Sequence, residues 1–263
     1  MTSLMFASIE VNLLQGHPVE RGLGSDVPSS TKVVYGEATR DDVDQMVNLN
    51  MDAEWGISVE KRCLYEDAQD GKHEAAIRTA FASPMREILL HSLGIEHSIL
   101  VKAIQDGRLV GYLDAVDVVD DLLTMPLRPI EDFPRGPHPG AILEKPVTEL
   151  DSVDCHIIRK WAKNQALQTE HGNIGYEMMK SKRDSAPFYQ IHMLAVASDK
   201  QRQGIGRGLL DYFQKLVGEK NMCLFAQRHN KGFYEKVGFQ MLDSKKAKSG
   251  AEILFFWKPG KNT

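Results

Sequence analysis

The sequence predicts a single α/β domain: a mixed, largely antiparallel sheet flanked by helices and interrupted by a helical insertion. Three observations predict it. Two β-rich runs, Ser98 to Ile104 and Arg108 to Val118, flank Gln105-Asp106-Gly107, and Asp-Gly between apolar runs is a strong hairpin signal. Residues 188–226 then read strand, helix, strand, which is a crossover unit. The chain has 263 residues, 42% of them hydrophobic, so it can bury a sizeable core without disulfides or a structural metal.

Taken in order, Gly22 to Thr31 (GLGSDVPSST) is rich in Gly, Ser and Pro and reads as a linker, so residues 1–31 are expected to be an N-terminal tail. The domain then covers residues 32–263. Lys32 to Glu37 is a candidate strand. Thr39 caps a helix with Asp41 and Asp42 in its first turn, where carboxylates suit the helix dipole. Val43, Met46, Val47 and Met51 give that helix an apolar face. Residues 57–93 read as helical, with Ser83-Pro84 as a restart signal ahead of the hairpin.

Residues 119–147 differ in kind. Pro126, Pro129, Pro134, Pro137 and Pro139 precede Pro146 in a run without periodicity, which marks an extended insertion. A helix follows, with Val153, Ile157 and Trp161 four apart, and is expected to run on, broken near Gly172 to Gly175, to Lys182. Phe188 to Ala197 reads as a strand. Gly204 to Val217 reads as a helix with Leu209, Leu210, Phe213, Leu216 and Val217 on one face, closed by Gly218. Met222 to Ala226 is a short strand, Lys231 to Val237 a short helix, and Phe239 to Leu242 and Glu252 to Trp257 two last strands.

Composition excludes several functions. Disorder needs low hydrophobicity with high net charge, and the formal net charge is only -4. Lys and Arg (32) do not exceed Asp and Glu (36), so no nucleic-acid partner is expected. No apolar run reaches the roughly 18 residues of a membrane span, so no membrane association is expected. Residues 1–16 lack an early Lys or Arg and make a poor leader. Cys63, Cys155 and Cys223 form no CxxC pair, which argues against zinc and for a reducing, cytoplasmic setting.

The chemistry is concentrated in MLAVASDKQRQGIGRGLL, residues 193–210. A strand ends, a polar turn follows, and Gly204, Gly206 and Gly208 open a helix. Glycines admit a ligand close to the backbone, and free N–H groups at a helix start bind phosphate. Arg202 and Arg207 add positive charge. A Walker loop is excluded, because Gly-Lys-Ser/Thr is missing. The dinucleotide fingerprint GxGxxG is excluded, because Leu209 stands where its last glycine belongs. A tight turn with no ligand is the alternative reading of the same glycines.

Gln201-Arg202-Gln203-Gly204-Ile205-Gly206 resembles the Q/R-x-x-G-x-G/A motif of the GNAT acetyltransferase superfamily. Leu194-Ala195-Val196 looks like that family's core strand, and Tyr234-Glu235-Lys236-Val237-Gly238-Phe239 is similar to its Y-x-x-x-G-F signature. The resemblance covers about residues 188–240, and its shape is most similar to the fungal-type small-molecule acetyltransferases. It implies a GNAT-type fold and acetyl-CoA as cosubstrate, with no metal. The pyrophosphate would lie on the backbone of Gln203, Gly204, Ile205, Gly206, Arg207 and Gly208, within the loop that includes Gln201 and Arg202. The pantetheine arm would pair with the strand at Leu194, Ala195 and Val196, like an added strand. An Asn that contacts the pantetheine in the family stands seven residues before the motif Tyr. That place is Gln227 here, and Asn230 lies four before, so the role falls on one of the two.

Transfer to an amine needs a proton acceptor, and the sulfur leaving group gains from a donor. Tyr234 resembles the family's general acid; the alternative is a plain core aromatic. His192 is the candidate base. It stands two residues before Leu194, so strand alternation would put both on one face, and its ordinary pKa near 6.5 suits proton acceptance. It resembles a histidine of arylalkylamine acetyltransferases; the alternative is a buried structural histidine. Gln190 shares that face without titrating, and Asp114 and Asp117 are rival bases. Residues 119–187 are expected to form an acceptor lid, with Trp161, Tyr176, Met178 and Met179 either lining a hydrophobic pocket or packing the insertion onto the core.

These readings predict an acetyl-CoA-dependent N-acetyltransferase acting on a small-molecule primary amine in a ternary complex, as a monomer or homodimer. A protein lysine or N-terminal acetyltransferase, and a non-catalytic CoA-binding sensory module, are the alternatives.

Overall fold

The structure is a computed structural model that describes residues 32–54, 82, 85–118, 170–185, 187–248, 250 and 252–260. The tail, the Ser83-Pro84 restart, Trp161, Cys63, Cys155 and residues 119–169 of the insertion lie outside the described residues.

In chain order the elements are strand β1 (Val34–Glu37), helix α1 (Val43–Glu54), helix α2 (85–92), the hairpin of β2 (Ser98–Gln105) and β3 (Arg108–Val118), and helix α3 (170–180). Then come β4 (Phe188–Val196), α4 (Ile205–Val217), β5 (Asn221–Ala226), α5 (Lys231–Lys236), β6 (Gln240–Lys246) and β7 (Glu252–Lys258). The seven strands make one sheet in the order β1-β2-β3-β4-β5-β7-β6. Among the described residues only β4 and β5 are parallel; every other neighbouring pair is antiparallel.

Local chemistry explains the framework. The Asp42 carboxylate accepts from the Thr39 N–H at 2.7 Å and its hydroxyl at 2.9 Å, which anchors the entry to α1. It also accepts from Lys102 Nζ of β2 at 2.7 Å, and these contacts hold its pKa below the usual carboxylate range against the opposing effect of burial. Val43, Met46, Val47 and Met51 are buried as their spacing predicts. The Asp106-Gly107 turn takes positive φ at both residues, 54° and 74°, as a tight hairpin requires.

Each face of the sheet is covered. On one side α4 packs Ile205, Leu209, Leu210 and Phe213 against Ile191, Leu194 and Val196. Leu216 instead stays 41% exposed, because the stripe 209, 210, 213, 217 already fills the sheet-facing arc. On the other side α1 and α2 cover Leu100, Tyr112, Met193 and Ala195. Further along that side α3 brings Tyr176, Met178 and Met179 onto Phe188, Phe225, Phe255 and Trp257. The break expected near Gly172 to Gly175 does not occur, since residues 170–180 are continuously helical. Gly175 is there for close approach: a Cβ would stand 3.0 Å from the Phe225 ring.

Candidate active site

The two halves of the sheet meet along a short seam. β4 and β5 pair only from Phe188↔Asn221 to Ile191↔Leu224. At the next residue β4 carries a bulge against β3: Asp114 pairs with Met193 and Ala115 with Ile191, which leaves His192 over. A bulge bends its strand and raises its twist. So β4 leaves β5 at the bulge, and residues 192–196 keep a sheet partner on the β3 edge only.

The bulge resets the side-chain alternation. Ile191 and Leu194 both pack on the α4 side, whereas Met193 packs under α1. His192 therefore does not share the face of Leu194. The period-two argument fails across an extra residue, and the imidazole goes with Met193 to the α1 side.

The open edge has a defined polarity. Ala197 donates its N–H to Val110 O at 2.9 Å, toward β3. Residues of odd number from 193 therefore turn their main chain to β3, and Leu194 and Val196 turn theirs to the open edge. The Val196 carbonyl accepts there from Gln201 Nε2 at 3.1 Å. The N–H and C=O of Leu194 and the N–H of Val196 are left to face the gap that an extended amide-bearing chain would fill.

The loop after β4 is built from side chains that bind backbone. Gln203 Nε2 donates to Asp199 O at 3.2 Å, and Asp199 pairs with Arg108 at 3.3 Å, so these groups fix the loop. Arg202 and Gly204 hold left-handed φ of 61° and 85°. A non-glycine residue there costs on the order of 1 kcal/mol and recurs at ligand-binding loops. α4 begins at Ile205, and Gly208 already donates to Gly204 O at 2.9 Å. Ile205, Gly206 and Arg207 are thus the helical residues whose N–H groups have no intrahelical partner, and with the positive dipole end they can take an anion. Gly208 serves packing, because a Cβ there would run into the Tyr35 hydroxyl of β1. The Arg202 and Arg207 side chains are exposed, and Arg207 pairs loosely with Asp211 at 3.7 Å.

On the far side of the gap, β5 ends at Ala226. Gln227 and Asn230 are buried in the turn before α5, where Asn230 N donates to Gln227 O at 3.0 Å. Tyr234 is completely buried among Phe233, Phe239 and Phe256. Its hydroxyl has no hydrogen-bond partner, and burial raises its pKa well above the ordinary value. A buried hydroxyl without a partner forfeits about 1–3 kcal/mol, which a ligand acceptor would restore.

Three more polar atoms are buried without partners near β4: His192 Nε2, Gln190 Oε1 and Asn50 Oδ1. Burial pushes the His192 imidazole down to about 4, so it is neutral at pH 7. Asn50 of α1 donates to Tyr112 Oη at 2.9 Å, beside Met193, and no sequence signal pointed to it. The two aspartates of β3 separate. Asp117 pairs with Lys220 at 3.1 Å at the opposite end of the seam, against Tyr189. Asp114 is buried beside the bulge and accepts from Ser92 Oγ at 3.1 Å and Ser98 Oγ at 3.3 Å. Tyr176, Met178 and Met179 join the sheet core and pack α3 onto it. Among the described residues no cluster of His, Cys, Asp and Glu could hold a metal ion, and no helix is long and apolar enough to cross a membrane.

Residues 160–255, which include the seam, the glycine loop and Tyr234, match the family model of the acetyltransferase (GNAT) domain. This segment is a GNAT acetyltransferase domain. Like that family's members it is an acyltransferase, and the strand order places its motif loop and Tyr234 on opposite sides of one gap. No curated protein matches the sequence significantly. Among solved structures, a histone acetyltransferase HPA2 and related acetyltransferase from Corynebacterium glutamicum shares the fold at a TM-score of 0.51. It is 15% identical, covering 88% of this chain and 98% of that one. The ribosomal-protein-S18-alanine N-acetyltransferase of Escherichia coli matches at 0.46, with 12% identity over 88% and 99%. The PaiA N-acetyltransferase of Thermoplasma acidophilum, solved with coenzyme A, matches at 0.45, with 11% identity over 87% and 99%.

Proposed function

We propose that this GNAT member transfers acetyl from acetyl-CoA to a small-molecule primary amine, directly, in a ternary complex. The observation that carries the reading is the coincidence of the β4 bulge, the end of the β4–β5 pairing and the partnerless Tyr234 hydroxyl. The three together would set main-chain donors on one side of the β4–β5 divergence and a proton donor beyond it.

The residues fit acetyl-CoA. The free N–H groups at 205–207 and the left-handed turn at Gly204 would hold the pyrophosphate. The open edge at Leu194 and Val196, with Ala195 between them turned to β3, would pair with the pantetheine amides. Gln227 and Asn230 line the opposite wall, and Gln201 and Gln203 brace the loop. When bound, acetyl-CoA supplies an activated acyl group. Tyr234 holds a proton at its buried hydroxyl, ready for the departing sulfur. His192, neutral on the other face of the bulge, offers Nε2 to the attacking amine. A neutral site for the nitrogen matters, because an ammonium has no lone pair.

The small acceptor is supported by the size of the segment at residues 119–187, which is more than a strand connection needs and ends in a helix seated on the sheet. The unit would be residues 32–263 with this segment as acceptor lid and residues 1–31 as a tail. The test is thiol release from acetyl-CoA over polyamines, arylalkylamines, amino acids, aminoglycosides and lysine peptides. Release with a small amine and little with peptides is expected. Preference for peptides would overturn the acceptor class, and no release with any amine would leave a CoA-binding module.

A further inference from the structure

The sheet has two outer edges, β1 and β6, and the chain treats them differently. β1 is four residues long and half covered. β6 is seven residues long, and every one of its residues is exposed. A free edge carries a row of unpaired N–H and C=O groups that a further strand can complete, and a very short edge strand is one usual guard against that. β6 lacks this guard and adds two exposed apolar side chains, Met241 and Leu242, to its charges.

The sense of that edge follows from the registers. The polarity set by the Ala197 N–H on Val110 O, carried through β4, β5 and β7, turns the main chain of Asp243 and Lys245 inward to β7. Ser244 and Lys246 therefore turn theirs outward. The Ser244 N–H meets the Asp243 carboxylate there, at 2.8 Å. Asp243 and Lys245 are the register partners of Phe255 and Ile253, so both side chains lie on the α3 face of the sheet. Among the described residues neither makes an ion pair.

Asp243-Ser244-Lys245 is complementary to itself when reversed. Two antiparallel copies of β6 must set outward residues against outward residues, so a two-fold axis in this half of the strand falls on 243, 244 or 245. An axis at Asp243 sets carboxylate against carboxylate. One at Lys245 sets ammonium against ammonium. An axis at Ser244 sets each Asp243 opposite the other copy's Lys245, on one face, while the two serines exchange N–H···O=C bonds. Like charges directly opposite destabilise a strand pair and unlike charges support it, so charge selects the register centred on Ser244.

We propose that β6 is the docking surface for a second copy of this chain, paired antiparallel about a two-fold axis at Ser244 so that the two sheets become one. On pairing, the Asp243 carboxylate gives up the Ser244 N–H to the facing carbonyl and takes the opposite Lys245 ammonium instead. The contact is isologous and closes on itself, which consumes the free edge and stops further growth. None of its residues belongs to the acetyl-CoA site described above, so the inference stands apart from the acetyl-transfer reading.

The experiment is sedimentation velocity of the full chain over a concentration series, at low and high salt. Wild type should show a monomer–dimer equilibrium that weakens with salt. Asp243→Lys and Lys245→Asp each set like charges opposite at both symmetric pairs, and each should raise the dimer Kd about 10-fold or more. The two substitutions together restore unlike pairs and should return the Kd to near the wild-type value. Ser244→Pro removes the central donor and should abolish the dimer, and an edge strand tolerates it because that N–H faces outward. Cooperative melting of each variant at concentrations where wild type is monomeric checks that the fold is intact. A wild type that stays monomeric at every concentration overturns the proposal. So does a dimer that the single reversals and Ser244→Pro leave intact, or one that the double reversal fails to restore.

Discussion

β4 contains two different strands end to end. From Phe188 to Ile191 it is paired on both edges and sealed between clusters. From His192 to Val196 it is paired on one edge and faces polar atoms that lack partners. The first half is structure of the ordinary kind, in which every backbone group is satisfied. The second half is left incomplete by one extra residue, and the incompleteness is what a ligand can use. Substitutions on either side of the bulge should therefore separate stability from activity.

The largest expected effect is on rate. Tyr234→Phe removes a hydroxyl that has no partner in the free protein, so thiol release should fall about 100-fold while the melting temperature holds or rises. A matching loss of melting temperature would make Tyr234 a core residue only. Next come two glycines of the same loop. Gly208→Ala drives a methyl into Tyr35 and should cost about 1–3 kcal/mol in urea unfolding, with acetyl-CoA affinity little changed. Gly204→Ala forces a left-handed φ with open space around it, and should cost about 1 kcal/mol and also weaken acetyl-CoA binding. Equal effects of both on binding would erase the distinction between packing and cradle.

The wild type should show the smallest change of all in the pH dependence of its stability. His192 is pushed from 6.5 down to about 4, so its contribution is present above the unfolded value and is lost as pH falls through that window. Asp114 is pushed from 3.8 up to about 7, so its contribution is present below the unfolded value and is lost as pH rises through its window. The two slopes oppose each other where they overlap, and the wild type should be nearly flat there. Asp114→Asn should make stability rise with pH, and His192→Gln should make it fall, each by on the order of 2 kcal/mol across the overlap. Identical slopes in the two variants would contradict the burial of one of them.

Much of this was legible in the residues. The hairpin announced itself through Asp106-Gly107, and α4 through the glycines and the Leu209, Leu210, Phe213 stripe. The motif loop and Tyr234 were found because glycine spacing and an aromatic at fixed distance are local signals. The bulge was not legible. Nothing in Ile191-His192-Met193 distinguishes an extra residue from a regular strand, because the extra residue is defined by the register with Asp114 and Ala115, some 80 positions away in the chain. The Ser92 and Ser98 donors to Asp114 were hidden for the same reason. Gly172 and Gly175 misled because glycine weakens an isolated helix but also admits a neighbouring ring, and the Phe225 contact decided between the two.

The central claim is that the β4 edge beyond His192 is a vacant strand position that acetyl-CoA completes. Residue-resolved amide hydrogen exchange, with and without saturating acetyl-CoA, measures this directly. The account predicts new protection at the Leu194 and Val196 amides and at 205–207, with Ala195 and Ala197 already protected by β3 in both states. Unchanged exchange at Leu194 and Val196 while acetyl-CoA is bound would contradict it.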